Sequence, residues 1–368
     1  MSVNEMDHDD EERLLQSNQE NDHEEFRASP ASKYSKTFWH SFLLFITFIA
    51  SIFSFVALEH RWKHPFTIPK ISSQEVCEHA TARPSWHSLP LHRRHAYTRA
   101  VQRLTTIPSR LGLNTSLYDD FTYIHIQLTW QVHHVAVSLP FHRYFVHVFE
   151  QTLQDEGGYD GLMPYWDWTL DAQSPLDSPI WDSWAGFGGN GSEAADSCVE
   201  EGILGRIAKP ANYSECGYKP HCVKRVFDDS KQYGMLHSKQ WNKEIVKHII
   251  EGSKTYDELR EGLENGPHRH LHLGIGGEMP TASSTNDPLF FLHHSQIDRL
   301  WWLWQQRNPK TRNVEFFGPT ALSDDSTEPI RASLHDSIKM LGLAHDIAVG
   351  DVMTTKSELL CYKYKLEL

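Results

Sequence analysis

The sequence predicts a mainly α body with long loops, preceded by one transmembrane helix. Three observations predict it. A charge-free apolar run stands near the N-terminus, helical apolar periodicity recurs through the rest of the chain, and alternating strand patterns are scarce.

In chain order, residues 1–37 come first. The stretch NEMDHDDEERLLQSNQENDHEEF is polar and acidic and reads as a disordered tail. Phe38–Leu58, FWHSFLLFITFIASIFSFVAL, then contains no Asp, Glu, Lys or Arg. At about 1.5 Å per residue it matches a hydrocarbon core of roughly 30 Å, so it is expected to anchor the chain in a membrane as a single pass. A cleaved signal peptide fits less well, because the preceding segment is long for an n-region and no clear small-x-small site follows. Residues 59–75 read as a stalk and 76–368 as one folded body.

The flanking charges are balanced, so orientation rests on the sequons Asn114-Thr-Ser, Asn190-Gly-Ser and Asn212-Tyr-Ser, all after the span. Glycosylation there places the body on the lumenal or extracellular side. Five cysteines without a CxxC, in an oxidising compartment, imply two disulfides and one free thiol. Their spacing does not give the connectivity.

Within the body, Tyr97–Thr105, Phe121–Val132, Tyr144–Gln154, Lys239–Gly252 and Pro288–Gln306 carry helical periodicity. Ser174–Ser197 and Gly274–Thr285 are rich in turn residues and read as long loops. A chain of 368 residues, 39% hydrophobic, has enough apolar material for a substantial core. Its net charge of −13 argues against a nucleic-acid partner, since phosphate binding needs a basic patch.

The 24 histidines are the main anomaly, imidazole being the commonest metal ligand. Tyr118–Gln151 contains His125, His133, His134, His142 and His147. The first two are about two helical turns apart and can share a face, while Pro140 fits a loop entering a helix just before His142. GPHRHLHLGIGG places His268 and His272 at i, i+4, with His270 turned elsewhere. NDPLFFLHHSQIDRLWWLWQ places His293 beside His294. Adjacent helical residues point about 100° apart, so one centre takes one of them. His293 shares a stripe with Ile297, Leu300 and Trp304; His294 aligns with Phe290 and Asp298. A core histidine bonded to a carbonyl is the plainer reading of His134, His147, His270 and His335.

Arg269 stands where a zinc protease of the HExxH type needs its glutamate, so that hydrolytic chemistry is excluded. Carboxylates and cysteines do not interleave with the histidines. An all-imidazole donor set suits copper or zinc, and two clusters of about three imidazoles suit two ions.

SLPFHRYFVHVFE and NDPLFFLHHSQIDRLWWLWQ together resemble the two copper motifs of tyrosinases and catechol oxidases. YDDFTYIHIQLTWQVH, GLMPYWDW, GPHRHLHLGIGG and LGLAHDIAVGDVMTTKSELLCYKY extend the resemblance from about Cys77 to Tyr364. Carried over by position, it assigns one copper (CuA) to His125, His133 and His142 and the other (CuB) to His268, His272 and His294, with His293 as a packed neighbour. The implied fold is a core four-helix bundle around the copper pair. The implied chemistry uses dioxygen to oxidise o-diphenols to o-quinones and, in true tyrosinases, to hydroxylate monophenols first. Arg269 and Leu273 fall at substrate-facing positions. Asp298, one turn beyond His294, is expected to fix its second ring nitrogen.

The chain departs from the family at several points. Ser138 and Phe141 replace the usual aromatic residues before and in the LPWHR-like turn. Gln131 and its neighbours are not cysteine, so no thioether is expected. Arg269 stands where Asn often follows the first CuB histidine; a guanidinium is no base but can bind a carboxylate or steer a phenolate. The segment that often supplies the N-terminal cysteine's partner in the family reads Ala100-Val-Gln-Arg-Leu, so Cys77 needs another partner; Cys361 is the one expected, with Cys198–Cys222 as the second expected pair. The short form with its anchor is similar to fungal tyrosinases of secondary-metabolite pathways. It implies a phenolic small molecule or a tyrosine-containing peptide as substrate. A hemocyanin-like oxygen carrier and an o-aminophenol oxidase are the alternatives.

Overall fold

The computed structural model describes residues 77–206, 211–214, 217–320 and 331–366. The expected tail, span and stalk lie outside them. Among the described residues, no helix is long and apolar enough to cross a membrane.

The core is helical. Helix α1 spans Leu91–Leu104 and enters from Pro90, whose ring-fixed φ of −66 suits a helix start. Helix α2, Leu117–Val132, begins in a capping box: Ser116 accepts from the Asp119 amide and Asp119 accepts from Ser116. Helix α3, Ser138–Asp155, is buried over most of its length. Helix α4, Lys243–Gly252, is capped by Asn242, and α5, Tyr256–Leu263, by a Thr255/Glu258 box. Helices α6, Arg269–Ile275, and α7, Leu289–Gln306, follow, and a four-residue helical turn, Pro309–Arg312, comes after them.

Helices α3 and α7 pack directly on each other. Phe149 of α3 stacks on Phe291 of α7 with ring centroids 3.5 Å apart, and Phe121 of α2 meets both edge-on. Burying aromatic rings of this size stabilises the seam by about 1.5–3 kcal/mol per side chain.

The periodic segments all form helices; three start a turn or more earlier than the apolar stripe, from Pro90, Ser116 and Val137, and of these only Ser116 is a polar cap, while the last two start later. Pro140 lies inside the first turn of α3, where its missing N–H has no intrahelical acceptor to lose. Helix α5 escapes a sequence reading, and α6 is signalled only by the i, i+4 step from His268 to His272; each is two turns or so, too short to show a period. A π-helical turn, Glu264–His268, joins them, kinked at Gly266 and containing Pro267. Ser174–Ser197 is a loop broken by short 3₁₀ turns. The expected loop at Gly274 instead starts after Ile275. Gly274 fits there because a Cβ would meet the Leu236 carbonyl oxygen at 2.2 Å.

Strands among the described residues form two-stranded pairs only. One of them, Thr81–Ala82 with Tyr362–Lys363, runs parallel and joins the two ends of the described body. The Cys77–Cys361 disulfide closes the same seam, and a second disulfide joins Cys198 to Cys222. Both are the pairings expected where the chain departs from the family's usual cysteine partner.

Candidate metal centre

Two groups of histidines are placed so that their ring nitrogens can converge. His125, His133 and His142 form one; His268, His272, His293 and His294 form the other. Within each, the potential ligand atoms lie within 4.8 Å of one another.

Each group draws on different local structure. His125 sits on α2. His133 does not share its helical face, as the spacing implied: α2 ends at Val132, and His133 is the extended C-cap. The chain then turns through His134 at φ +59, and the His134 amide donates to Glu264 Oε1 at 2.7 Å. That turn brings the His133 ring within 5.1 Å of His125 and 5.0 Å of His142, centroid to centroid. His134 is therefore exposed, not a core histidine. His335 is exposed too, and His147 is buried apart from both groups.

In the second group, the π-helical turn delivers His268 and α6 delivers His272, with centroids 4.5 Å apart. His294 of α7 reaches across the gap. Its ring stacks on His142 at 4.1 Å and 14°, and lies 5.1 Å from His268. His293 contacts His268 and His272 as well, at 5.4 and 4.9 Å, but its ring neighbour outside the group is Trp168. His294 thus faces both groups and His293 only its own.

Backbone carbonyls aim most of these rings. The Nδ1–H of His125 donates to Ala282 O (2.7 Å), that of His133 to Thr129 O (2.8 Å), that of His142 to Ser138 O (2.8 Å) and that of His272 to Met279 O (2.5 Å). His268 makes a longer bond to Glu264 O, 3.4 Å. A proton held on Nδ1 leaves Nε2 as a free lone pair. The Nε2 atoms of His125, His142 and His272 are buried with no hydrogen-bond partner. Such orphaned acceptors are costly in a core and are what a metal ion satisfies.

Burial also keeps these rings neutral. Desolvation, reinforced by the neighbouring imidazoles, lowers His125 to about 3. It lowers His272 to about 4, with the His133 ring adding and the Met279 hydrogen bond opposing. It holds His142, His268 and His294 well below the usual value. Phe290 seals the interior side, 4.1 Å from the His294 ring and 5.0 Å from His125.

Asp298 does something other than expected. Neither nitrogen of His294 has a hydrogen-bond partner, and no Asp298 bond reaches it. The carboxylate instead accepts from Arg143 Nε (2.5 Å), Tyr362 Oη (2.5 Å) and Tyr364 Oη (2.7 Å), with Arg83 at 3.5 Å. The basic partner comes from other segments, which helical spacing cannot reveal. Since Arg143 follows His142 and Asp298 follows His294 by one turn, the pair locks the two helices that bring those rings together.

Glu264 was not singled out in the sequence. It is buried between the groups, paired with Arg260 (2.9 Å), and accepts from Ser138 Oγ (3.1 Å) as well as from His134 N. Its place four residues before His268 was the available signal. A cavity of about 560 Å³ opens over His133, His268 and His272, bordered by Trp130, Arg269 and Leu273. Arg269 is exposed, Leu273 37% exposed and Trp130 78% exposed.

The common central domain of tyrosinase matches residues 115–307. The tyrosinase-like protein phomQ1 of Diaporthe leptostromiformis is 35% identical over 344 residues, covering 88% of this chain and 87% of its own length. The tyrosinase ustQ of Aspergillus flavus is 36% identical over 294 residues, covering 78% and 80%. Among solved structures, a polyphenol oxidase from Thermothelomyces thermophila superposes with a TM-score of 0.66 at 28% identity, over 78% of this chain and 89% of that one.

The depressed imidazole values set a pH dependence for the metal-free protein. Unfolded histidines take up protons below about 6.5, while the buried ones stay neutral to about 3–4. The unfolded state then binds more protons, so stability is full above about pH 6.5 and falls as pH drops toward 4. Each such imidazole contributes up to about 1.4 kcal/mol per pH unit in that window. Thermal melts of chelator-treated protein at pH 7.5, 6 and 5 are expected to show a steep fall in Tm. A flat profile would refute buried neutral rings.

Proposed function

The chain belongs to the tyrosinase family, and from that premise we propose that it oxidises phenols with dioxygen at a copper pair held by His125, His133 and His142 on one side and His268, His272 and His294 on the other. The enzyme is a copper oxidoreductase; the ligand assignment and the substrate are what is proposed. The carrying observation is the face-to-face approach of His142 and His294 between two groups of neutral imidazoles whose free nitrogens lie buried without partners. An all-imidazole set of this kind suits copper. When bound, the copper pair would supply the redox chemistry by which one dioxygen is reduced to two waters while two o-diphenols are each oxidised by two electrons to the o-quinone.

The chain's own residues do the rest. The α3–α7 seam and the α6 turn support a core bundle that holds the rings in place before substrate arrives. Phe290 excludes water from the interior side. Glu264, ion-paired with Arg260, adds a fixed negative charge beside a cationic centre and favours it electrostatically. The cavity admits a phenol ring past Leu273. Arg269 offers a guanidinium to a carboxylate on the substrate, and Trp130 offers an exposed face for a flat or peptidic group. These features support a phenolic small molecule or a tyrosine-containing peptide of secondary metabolism as the substrate.

The body is lumenal or extracellular, anchored through Phe38–Leu58. The two disulfides support an oxidising compartment. Of the three sequons, Asn114 and Asn190 are exposed, whereas Asn212 donates its amide to Asp119 at 2.8 Å, which favours the first two as glycan sites.

Three outcomes test this reading. His294→Ala is expected to lose copper and all turnover, while His293→Ala keeps two coppers per chain by metal analysis; copper loss confined to the second variant reverses the assignment. Arg269→Gln is expected to raise KM about fivefold for a diphenol carrying a carboxylate and to leave catechol unchanged, as for an exposed ion pair worth up to about 1 kcal/mol. An equal effect on both substrates removes Arg269 from recognition. Protease added to sealed microsomes is expected to spare the body and trim only the N-terminal tail; digestion of the body sinks the orientation.

A further inference from the structure

A further histidine cluster stands apart from the copper centre. His270 lies on α6 between His268 and His272, yet its ring turns away from them toward the Tyr233–His237 turn. Its Nδ1 lies 3.2 Å from Nδ1 of His237. Tyr233 packs against both rings, with centroids 4.9 Å from His237 and 4.8 Å from His270. The second nitrogen of His237, Nε2, donates to Asp228 Oδ2 at 2.6 Å.

Three features exceed what a simple contact between two histidines needs. The Asp228 carboxylate commits the His237 proton to Nε2, so Nδ1 presents an unprotonated lone pair. This carboxylate–imidazole arrangement is the one that orients metal-binding histidines. Two imidazole nitrogens bound to one tetrahedral ion at about 2.0–2.1 Å lie about 3.3 Å apart, close to the spacing found. The backbone also pays for the placement: Leu236 and His237 are both left-handed, at φ +53 and +58, an arrangement costing of order 1–3 kcal/mol per residue. His237 is buried, while His270 is half-buried and leaves an approach from solvent.

We propose that His237 and His270 form a second metal site, distinct from the copper pair, for one divalent transition cation of the imidazole-binding class, such as Zn²⁺. Water fills the remaining positions. Without the ion, the Nδ1–H of His270 donates to His237 Nδ1. On binding, that proton passes through solvent to Nε2 of His270, so both Nδ1 lone pairs face the ion and no net proton is released. The ion then ties α6, with its copper-binding histidines, to the turn carrying His237 and Asp228. That turn already meets the end of α6 through backbone bonds from Val226 N to Ile275 O and from Asp228 N to Gly274 O.

The test is zinc titration of the copper-loaded protein by isothermal calorimetry, with copper measured before and after. Wild type is expected to bind one more equivalent of Zn²⁺ than His237→Asn or His270→Gln, all three keeping the same copper content. Asparagine tolerates the left-handed backbone at 237, so that variant removes the ligand without adding strain. Asp228→Asn is expected to keep the site but weaken it tenfold or more. The same zinc stoichiometry in wild type and His237→Asn overturns the proposal. If His270→Gln also loses copper, His237→Asn decides alone.

Discussion

The buried Arg143–Asp298 pair is the constraint on which the site depends. Arg143 is fully buried. Besides Asp298, its guanidinium donates to the carbonyls of Val352 and Met353 and to Gln305 Oε1, and it lies 3.5 Å over the Trp301 ring. One side chain thereby joins α3, α7 and the C-terminal segment. Asp298 gathers Tyr362, Tyr364 and Arg83 onto the same point, and Arg83 pairs with Glu150 of α3. Two ions removed from water are costly, and only a saturated set of partners offsets it. The saturation found here makes the α3–α7 register specific, because a slip would leave a charge buried alone. His142 and His294 meet because that register is held.

The second constraint acts on the rings. An imidazole aimed by its own Nδ1–H at a backbone carbonyl has few remaining degrees of freedom. The carbonyls used come from one turn back in the same chain for His133 and His142, and from the loop after α6 for His125 and His272. The loop Met279–Ala282 therefore serves both groups at once. Desolvation holds the rings neutral, and neutrality is what metal binding requires. The cost of the orphaned nitrogens is borne by the fold, and a bound metal would relieve it.

The mouth is less constrained than the interior. Glu264 and Arg260 are buried, whereas Arg269, Leu273 and Trp130 face solvent. The division fits a fixed redox centre beneath a surface able to vary with the substrate.

The sequence by itself determined the helices that carry a full period, the two histidine groups and the chemistry that imidazoles without thiolates favour. The family resemblance preferred His133 to His134 and His294 to His293. The structure supplies a geometric reason for the first pair, since His133 lies past its helix and His134 turns outward at a left-handed residue. Helix α5 was too short to register, α6 showed only in the i, i+4 step from His268 to His272, and the π-helical turn that sets His268 has no periodic signature. The role of Asp298 was invisible for a different cause. A carboxylate's neighbours along its own helix are legible at i±3 and i±4, but its actual partners lie 155, 64 and 66 positions away. The same holds for the Asp228–His237–His270 cluster, assembled from a turn and a helix. Local periodicity and motif spacing are written in the chain; long-range charge pairing is decided only when tertiary packing brings the segments together and removes the water between them.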